Sequence, residues 1–300
     1  MSGDAPTLTR LAPAKVNLYL HVAAPDAKGY HPLQSLVMFA DIGDAVSILE
    51  TDGSADNISS NISISGRFGD GLSGGEDNLI GKAIRAFEAA TGVAVDRHVF
   101  ALDKALPVAS GLGGGSADAG ATLHLLRELY APGLSDETLG AIAAQTGADG
   151  VMCLWAKTAI AEGYGELLTP LKLPSVAAVL VNPGVACPTG AVYQGYDRQG
   201  VFEPIDVAGR FRGLTSQTAL IEALTYTRND LQAPAIALQP VIAEVLSALD
   251  AQPETLLARM SGSGATCFAL CADDAAAGAL SRRLEGMMPA GWVTACRLGG

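Results

Sequence analysis

The segment Pro107-Val-Ala-Ser-Gly-Leu-Gly-Gly-Gly-Ser116 is the part of this sequence best suited to chemistry. Glycine lets the backbone take positive φ and approach a ligand without Cβ interference. Successive N–H groups then point inward as an anion nest, and a helix beginning at Ser116 adds its unpaired donors and positive dipole end. Polyphosphate suits such a place. No Lys-Ser/Thr pair follows the last glycine, so this is not a Walker A loop. A dinucleotide fingerprint is disfavoured as well, because no acidic residue follows at the required distance after a second strand. A second feature is Lys15 and Asn17, two apart in a strand-like run, which places both side chains on one face.

The elements needed to hold these groups are legible as periodicities. Leu8 to Val22 reads as a strand, and Leu33 to Leu49 as more strand, interrupted near Asp41–Asp44. Residues 51–77, with Ile58, Ile62 and Ile64 alternating, read as turns and edge strands. Apolar residues at Leu79, Ile80, Ala83, Ile84 and Phe87 predict a helix over 78–90. Val93–Leu102 reads as strand, and Ala119, Leu123, Leu126 and Tyr130 set a helix over 116–130. Further on, helices are expected at 136–146, 235–249 and 273–285, and strands at 151–162, 176–182 and 265–271. The stretch 197–218 is polar and irregular. Gly163, Gly165, Pro170 and Pro174 punctuate a domain boundary near 160–172.

Bulk composition narrows the function classes. Three hundred residues, 49% hydrophobic and 17% charged, suit a folded chain of one large or two ordinary domains. A formal net charge of -12 argues against nucleic acid and anionic membrane surfaces as partners. No basic, apolar leader and no run long enough to span a bilayer is seen, so a cytoplasmic location is expected. The five cysteines, Cys153, Cys187, Cys267, Cys271 and Cys296, are scattered and odd in number. We read them as core residues rather than a disulfide framework or zinc site, and no metal ligands are assigned.

Three motifs in order resemble the GHMP kinases, the galactokinase, homoserine, mevalonate and phosphomevalonate kinase superfamily. They are Ala12-Pro-Ala-Lys-Val-Asn-Leu18, the glycine loop continuing into Ser116-Ala-Asp-Ala119, and Met260-Ser-Gly-Ser-Gly-Ala-Thr-Cys-Phe268. The resemblance implies a two-domain α/β (α+β) fold. A ribosomal protein S5 domain 2-like N-terminal domain would occupy 1–165 and a ferredoxin-like C-terminal domain 166–300, with the active site in the cleft between. Gly29-Tyr-His31, Gly147-Ala-Asp149, Asn182-Pro-Gly-Val185 and Pro188-Thr189 are similar to members acting on cytidyl diphosphate methylerythritol, in the non-mevalonate isoprenoid precursor route.

By matched position, Asp149 would be the general base and Lys15 its neighbour, keeping the carboxylate ionised and stabilising charge on the acceptor oxygen. Asn17 would orient the hydroxyl or a phosphate. Tyr30 and His31 would take the cytosine, with Tyr164, Tyr193 and, more weakly, Thr189 around them. ATP would be held by Asn78, Leu79 and Lys104 near adenine, and by Pro107, Ala109, Ser110, Gly111, Leu112, Gly113, Gly114, Gly115 and Ser116 at the phosphates. Mg²⁺ is expected to accompany ATP, with Ser116 as an indirect contact. Asp118 would sit in the first turn of the helix, awkward beside triphosphate unless a metal or water intervenes. His21 and His124 are expected in packing and His98 at a surface. The family usually has Val-Pro after Gly-Ala-Asp, whereas Gly150-Val151 stands here; a flexible glycine is expected to loosen Asp149. Another GHMP kinase acting on homoserine or a mevalonate derivative is the alternative, or a nucleotide-binding regulator without turnover. Either a monomer or a homodimer is compatible with the sequence.

Overall fold

The computed structural model describes residues 8–50, 62–75, 77–95 and 98–299. They fall into two compact units, each assembled from separate stretches of chain. The first contains residues up to Ala14, Ile42–Val108 and Gly113–Ala156; the second contains Lys15–Asp41, Ala109–Leu112 and Lys157–Gly300.

Two long strands, β1 (Leu8–Val22) and β2 (Leu33–Glu50), pair with each other and contribute residues to both units. In the first unit, Ala45–Glu50 of β2 runs antiparallel to β4 (His98–Asp103), and β3 (Ile62–Ser65) lies parallel to β4 on its other side. Ile58 lies outside the described residues. Helix α1 (Leu79–Thr91) buries Ile80, Ala83, Ile84 and Phe87, the stripe that its sequence period marks. Asn78 caps it, its side-chain oxygen accepting from the Ile80 amide at 2.9 Å. Helix α1 packs on α2 (Gly114–Tyr130), and α2 packs on α4 (Gly150–Trp155), which follows α3 (Asp136–Ala144).

Two expectations are corrected in this unit. β2 is not interrupted at Asp41–Asp44; it runs through. Asp44 remains in the strand while fully buried because Lys104 and two backbone amides satisfy its charge. Residues 150–155 are helix, not the start of a strand. A short apolar run carries no period long enough to separate the two, and the strand begins only at Ala159.

In the second unit, Ser35–Val37 of β2 pairs with β5 (Ala159–Glu162), and β5 with β6 (Leu167–Pro170). The remaining strands are β7 (Val176–Asn182), β8 (Leu257–Met260), β9 (Cys267–Cys271) and β10 (Trp292–Leu298). They form an antiparallel order β10-β7-β9-β8. All seven residues of β7 are buried, as expected for a central strand covered on both faces. Helices α5 (Thr189–Gln199), α6 (Gln217–Thr225), α7 (Gln232–Leu238), α8 (Val241–Asp250) and α9 (Asp274–Met287) complete the unit, with a 3₁₀ turn at Ala208–Phe211. The single helix expected over 235–249 is two, because Pro240 cannot donate into a continuing helix and instead opens α8. Helices α5 and α6 and the 3₁₀ turn also intrude on the stretch read as irregular. None of the five cysteines is in a disulfide, and all are buried.

Candidate functional site

The glycine loop connects β4 to α2, and its backbone alternates in hand. Ala109 (φ 51°), Gly111 (φ 79°) and Gly113 (φ 65°) all take the left-handed region. Ala109 carries a Cβ there, at a cost on the order of 1 kcal/mol. Gly111 is required on two counts. Besides its positive φ, a Cβ on it would lie 2.4 Å from the Ser261 carbonyl oxygen and 3.0 Å from that of Gly264. The crown of the loop is thus seated on the Ser261–Gly264 turn. The Ser261 hydroxyl donates to the Gly111 carbonyl at 3.1 Å, and the Thr266 amide donates to the Ser110 carbonyl at 3.1 Å. Asn229 holds that turn from behind, donating to the carbonyls of Met260 and Gly262 at 2.8 Å each.

Lys15 and Asn17 share one face of β1, as their spacing predicts. The Lys15 ammonium donates to Asn17 Oδ1 at 2.9 Å, and the Lys15 amide donates to the Leu112 carbonyl at 2.8 Å. Asn17 is held on its other sides: its Nδ2 donates to Ser35 Oγ at 2.7 Å and its amide to Ser261 Oγ at 3.1 Å. The Ser261 hydroxyl therefore links the strand of Lys15 to the crown of the loop. The sequence marks Ser261 as part of the Met260–Phe268 motif, but its bond to the strand of Lys15 is set by the fold.

In the first unit, the stems of the loop are fixed by a buried cluster. Lys104, at the end of β4, donates to Asp44 Oδ2 at 2.5 Å and to Asp118 Oδ2 at 2.7 Å. Asp44 Oδ1 also accepts from the amides of Ala105 and Leu106, at 2.7 and 2.8 Å. Burial pushes the Asp118 carboxyl up and the Lys104 ammonium pulls it back, while the two carboxylates hold Lys104 above its ordinary value against the opposing effect of burial. Asp118 Oδ1 is buried without a hydrogen-bond partner. Leu79 lies against the start of α2, since a Cβ on Gly115 would be 3.2 Å from its Cδ1. Asn78 is engaged in capping α1 and in a bond to the Ser73 carbonyl at 3.0 Å.

Asp149 is half-buried and stands immediately before α4, its carbonyl accepting from the Cys153 amide at 2.9 Å. Gly150 is not loose as expected from its identity. It is buried, and a Cβ there would lie 2.1 Å from the Ala143 carbonyl oxygen and 2.7 Å from Thr146 Oγ1. The close approach of α3's end to α4 is what requires glycine, and the packing fixes the backbone beside Asp149.

Aromatic groups collect in the second unit. The Tyr30 and Tyr164 rings meet edge to face, with centroids 5.9 Å apart, and both are exposed. His31 sits 5.3 Å from the Tyr193 ring, with Phe202 at 6.3 Å. His31 Nδ1 bonds the Ala23 carbonyl at 2.8 Å, and Nε2 lies 3.0 Å from Asp197 Oδ1. The Thr189 hydroxyl pairs with that of Ser263 at 2.9 Å. The sequence reading did not single out Asp44, Asp26 or Asp197. Each is an ordinary acid until the fold supplies its partners.

His21 and His124 are packing residues. His21 Nδ1 donates to the Ile205 carbonyl at 3.1 Å and Nε2 accepts from the Arg228 amide at 3.2 Å. His98 is half-buried rather than superficial and bonds the Tyr130 hydroxyl.

The glycine loop is thus seated on a second glycine turn and opens α2. The model of the GHMP kinases N terminal domain matches residues 78–157, and that of the GHMP kinases C terminal domain matches 214–290. The chain belongs to the GHMP kinases and has their two-domain α/β fold. It is 51% identical, over 99% of its length and 100% of the relative's, to 4-diphosphocytidyl-2-C-methyl-D-erythritol kinase of Caulobacter vibrioides. The protein of the same name from Parvibaculum lavamentivorans is 41% identical over the full length of both chains. A crystal structure of 4-(cytidine 5'-diphospho)-2C-methyl-D-erythritol kinase superposes with a TM-score of 0.77 at 32% identity, covering 98% of this chain and 100% of the other. Homoserine kinase from Cytophaga hutchinsonii, at 20% identity and TM-score 0.68 over 99% and 96% of the two chains, shares the fold.

Proposed function

We propose that this kinase transfers the γ-phosphoryl group of ATP to the 2-hydroxyl of 4-diphosphocytidyl-2-C-methyl-D-erythritol, releasing ADP and the 2-phosphate. The observation that carries the reading is 51% identity to a kinase of that name, sustained over 99% of the chain. Asp149 takes the proton from the acceptor hydroxyl. Lys15, its ammonium oriented by Asn17, stabilises charge on the acceptor oxygen and the transferred group. The amides of the glycine loop and the start of α2 hold the phosphates. Asn78, Leu79 and Lys104 border the adenine, Lys104 through its backbone because its ammonium is committed to Asp44 and Asp118. Tyr30, His31, Tyr164, Tyr193 and Thr189 receive the cytidyl end.

Among the described residues, no group of three His, Cys, Asp or Glu side chains could hold a metal ion. We take Mg²⁺ to arrive on the triphosphate, with the Ser116 hydroxyl as an indirect contact. When bound, the ion neutralises charge on the phosphates. We assign the N-terminal domain to 1–165 and the C-terminal domain to 166–300, a division supported by one family match in each segment. No helix among the described residues is long and apolar enough to cross a membrane, and we place the enzyme in the cytoplasm.

The test is coupled ADP release with the cytidyl substrate, homoserine and mevalonate offered side by side. Turnover with the cytidyl substrate at least a hundredfold above the others is the outcome expected for roughly 3 kcal/mol of discrimination. Preference for either other alcohol, or ATP binding with no ADP from any acceptor, overturns the proposal.

A further inference from the structure

Helix α2 begins at the glycine loop, with Gly113 immediately before it, and α4 begins immediately after Asp149. The way α4 lies on α2 therefore sets where Asp149 stands relative to the amides that open α2. Gly120, buried in α2, lets the two backbones touch. A Cβ there would lie 2.9 Å from Leu154 Cα and 3.0 Å from the carbonyl carbon and oxygen of Cys153. His124 is one turn further along the same face. Its Nε2 donates to the Leu154 carbonyl at 2.8 Å, in the last turn of α4, where carbonyls have no helical amide ahead of them. The Cys153 thiol donates to the Gly113 carbonyl at 3.9 Å, back at the glycine loop.

His124 is itself held on its other side. Arg127 Nη2 donates to His124 Nδ1 at 3.4 Å, which leaves the ring proton on Nε2 for Leu154. Arg127 Nη1 pairs at 2.6 Å with Asp136, the first residue of α3. The Trp155 ring meets the imidazole edge to face, with centroids 5.8 Å apart. Burial lowers the His124 pKa and so favours the neutral ring that this pattern of one donor and one acceptor requires. One side chain thus joins α2 to α4 and, through Arg127, to α3, whose far end packs on Gly150 beside Asp149. Packing alone calls for an apolar group here. A histidine with both nitrogens engaged also fixes how α4 is turned and where it stops along α2.

We infer that His124 is a positioning residue: by bonding the end of α4 across the Gly120 contact, it holds Asp149 in register with the glycine loop for phosphoryl transfer. The inference rests on the proposed role of Asp149 as the base. His124 acts through α4 and not on a substrate, so it governs the rate of transfer and leaves nucleotide affinity alone.

The experiment compares H124A, H124Q and G120A with the unaltered chain, and repeats H124A in a D149N background. Single-turnover transfer at saturating ATP and cytidyl substrate gives the rate, and equilibrium ATP binding gives the affinity. H124A and G120A should slow transfer about tenfold or more with ATP Kd within about twofold, because a small displacement of a reacting group is costly in rate. H124Q keeps an N–H able to reach the Leu154 carbonyl and should recover most of the rate. In D149N the added H124A should change the residual rate by less than about twofold, since the group it acts through is already disabled. G120A keeps His124 and alters only the approach of the helices, so it carries the test should H124A not fold. An unchanged rate in either folded variant, with D149N severely impaired, overturns the inference and leaves the base assignment standing. Equal slowing by H124A in both backgrounds, a matching loss of ATP affinity, or an H124Q as slow as H124A does the same. Near wild-type turnover in D149N removes the base and the inference with it.

Discussion

Lys104 and Asp118 form a buried ion pair, 2.7 Å apart, that ties the end of β4 to the second turn of α2 and so spans the base of the glycine loop. Asp44 completes the cluster from β2, so that two carboxylates face one ammonium.

That unequal count sets the order of mutational effects. Lys104→Met leaves two buried carboxylates without a counter-charge and should cost about 3–5 kcal/mol. Asp44→Asn disturbs the acceptor of three donors and should cost about 3 kcal/mol. Asp118→Asn leaves a balanced Lys104–Asp44 pair and should cost about 1 kcal/mol or less. Urea unfolding at pH 7 measures all three. If Asp118→Asn proved as damaging as Lys104→Met, the cluster would not carry the excess charge described.

Asp149→Asn should lower kcat by roughly 10²–10⁴-fold, the range for loss of a general base, with ATP affinity within about threefold. Single-turnover kinetics beside equilibrium ATP binding separates the two. Near wild-type turnover would remove Asp149 from the chemistry.

The crown of the loop admits no side chain at Gly111. Gly111→Ala should destabilise by about 1–3 kcal/mol, through both its left-handed φ and the clash with the Ser261 carbonyl, and raise the KM for ATP about tenfold or more. An alanine variant with unchanged ATP KM would show that the crown's seat on Ser261 does not matter for nucleotide binding.

Stability should fall on mild acidification. Burial lowers the His21 and His124 pKa values from the ordinary 6.5. Above that value both states are neutral and these groups contribute no slope. As the pH falls below 6.5, the unfolded chain takes up protons that the folded histidines resist, so unfolding is favoured until the folded pKa is reached. Tm measured from pH 8 down to pH 5 should be level at first and then decline, and His21→Gln should have the shallower decline. Equal slopes in the two proteins would refute the assignment.

Of the site, the sequence carried what is local. A left-handed backbone favours glycine, so the loop was visible in Gly111 and Gly113, and a strand's alternation was enough to join Lys15 to Asn17. The period of α1 likewise needed no partner to be read. Pairings between distant residues were not legible. Asp44 looked like a break in β2 because an isolated aspartate belongs at a surface; Lys104, 60 residues away, makes it a buried strand residue. Gly150 looked like slack, and only the approach of Ala143 shows it to be a packing requirement. Asp26 was one acid in a turn until the fold brought Tyr164, 138 residues on, to its carboxylate. Conformational demands act within a few residues and leave a mark in composition. Charge compensation and close approach act through space, and the tertiary structure alone decided them.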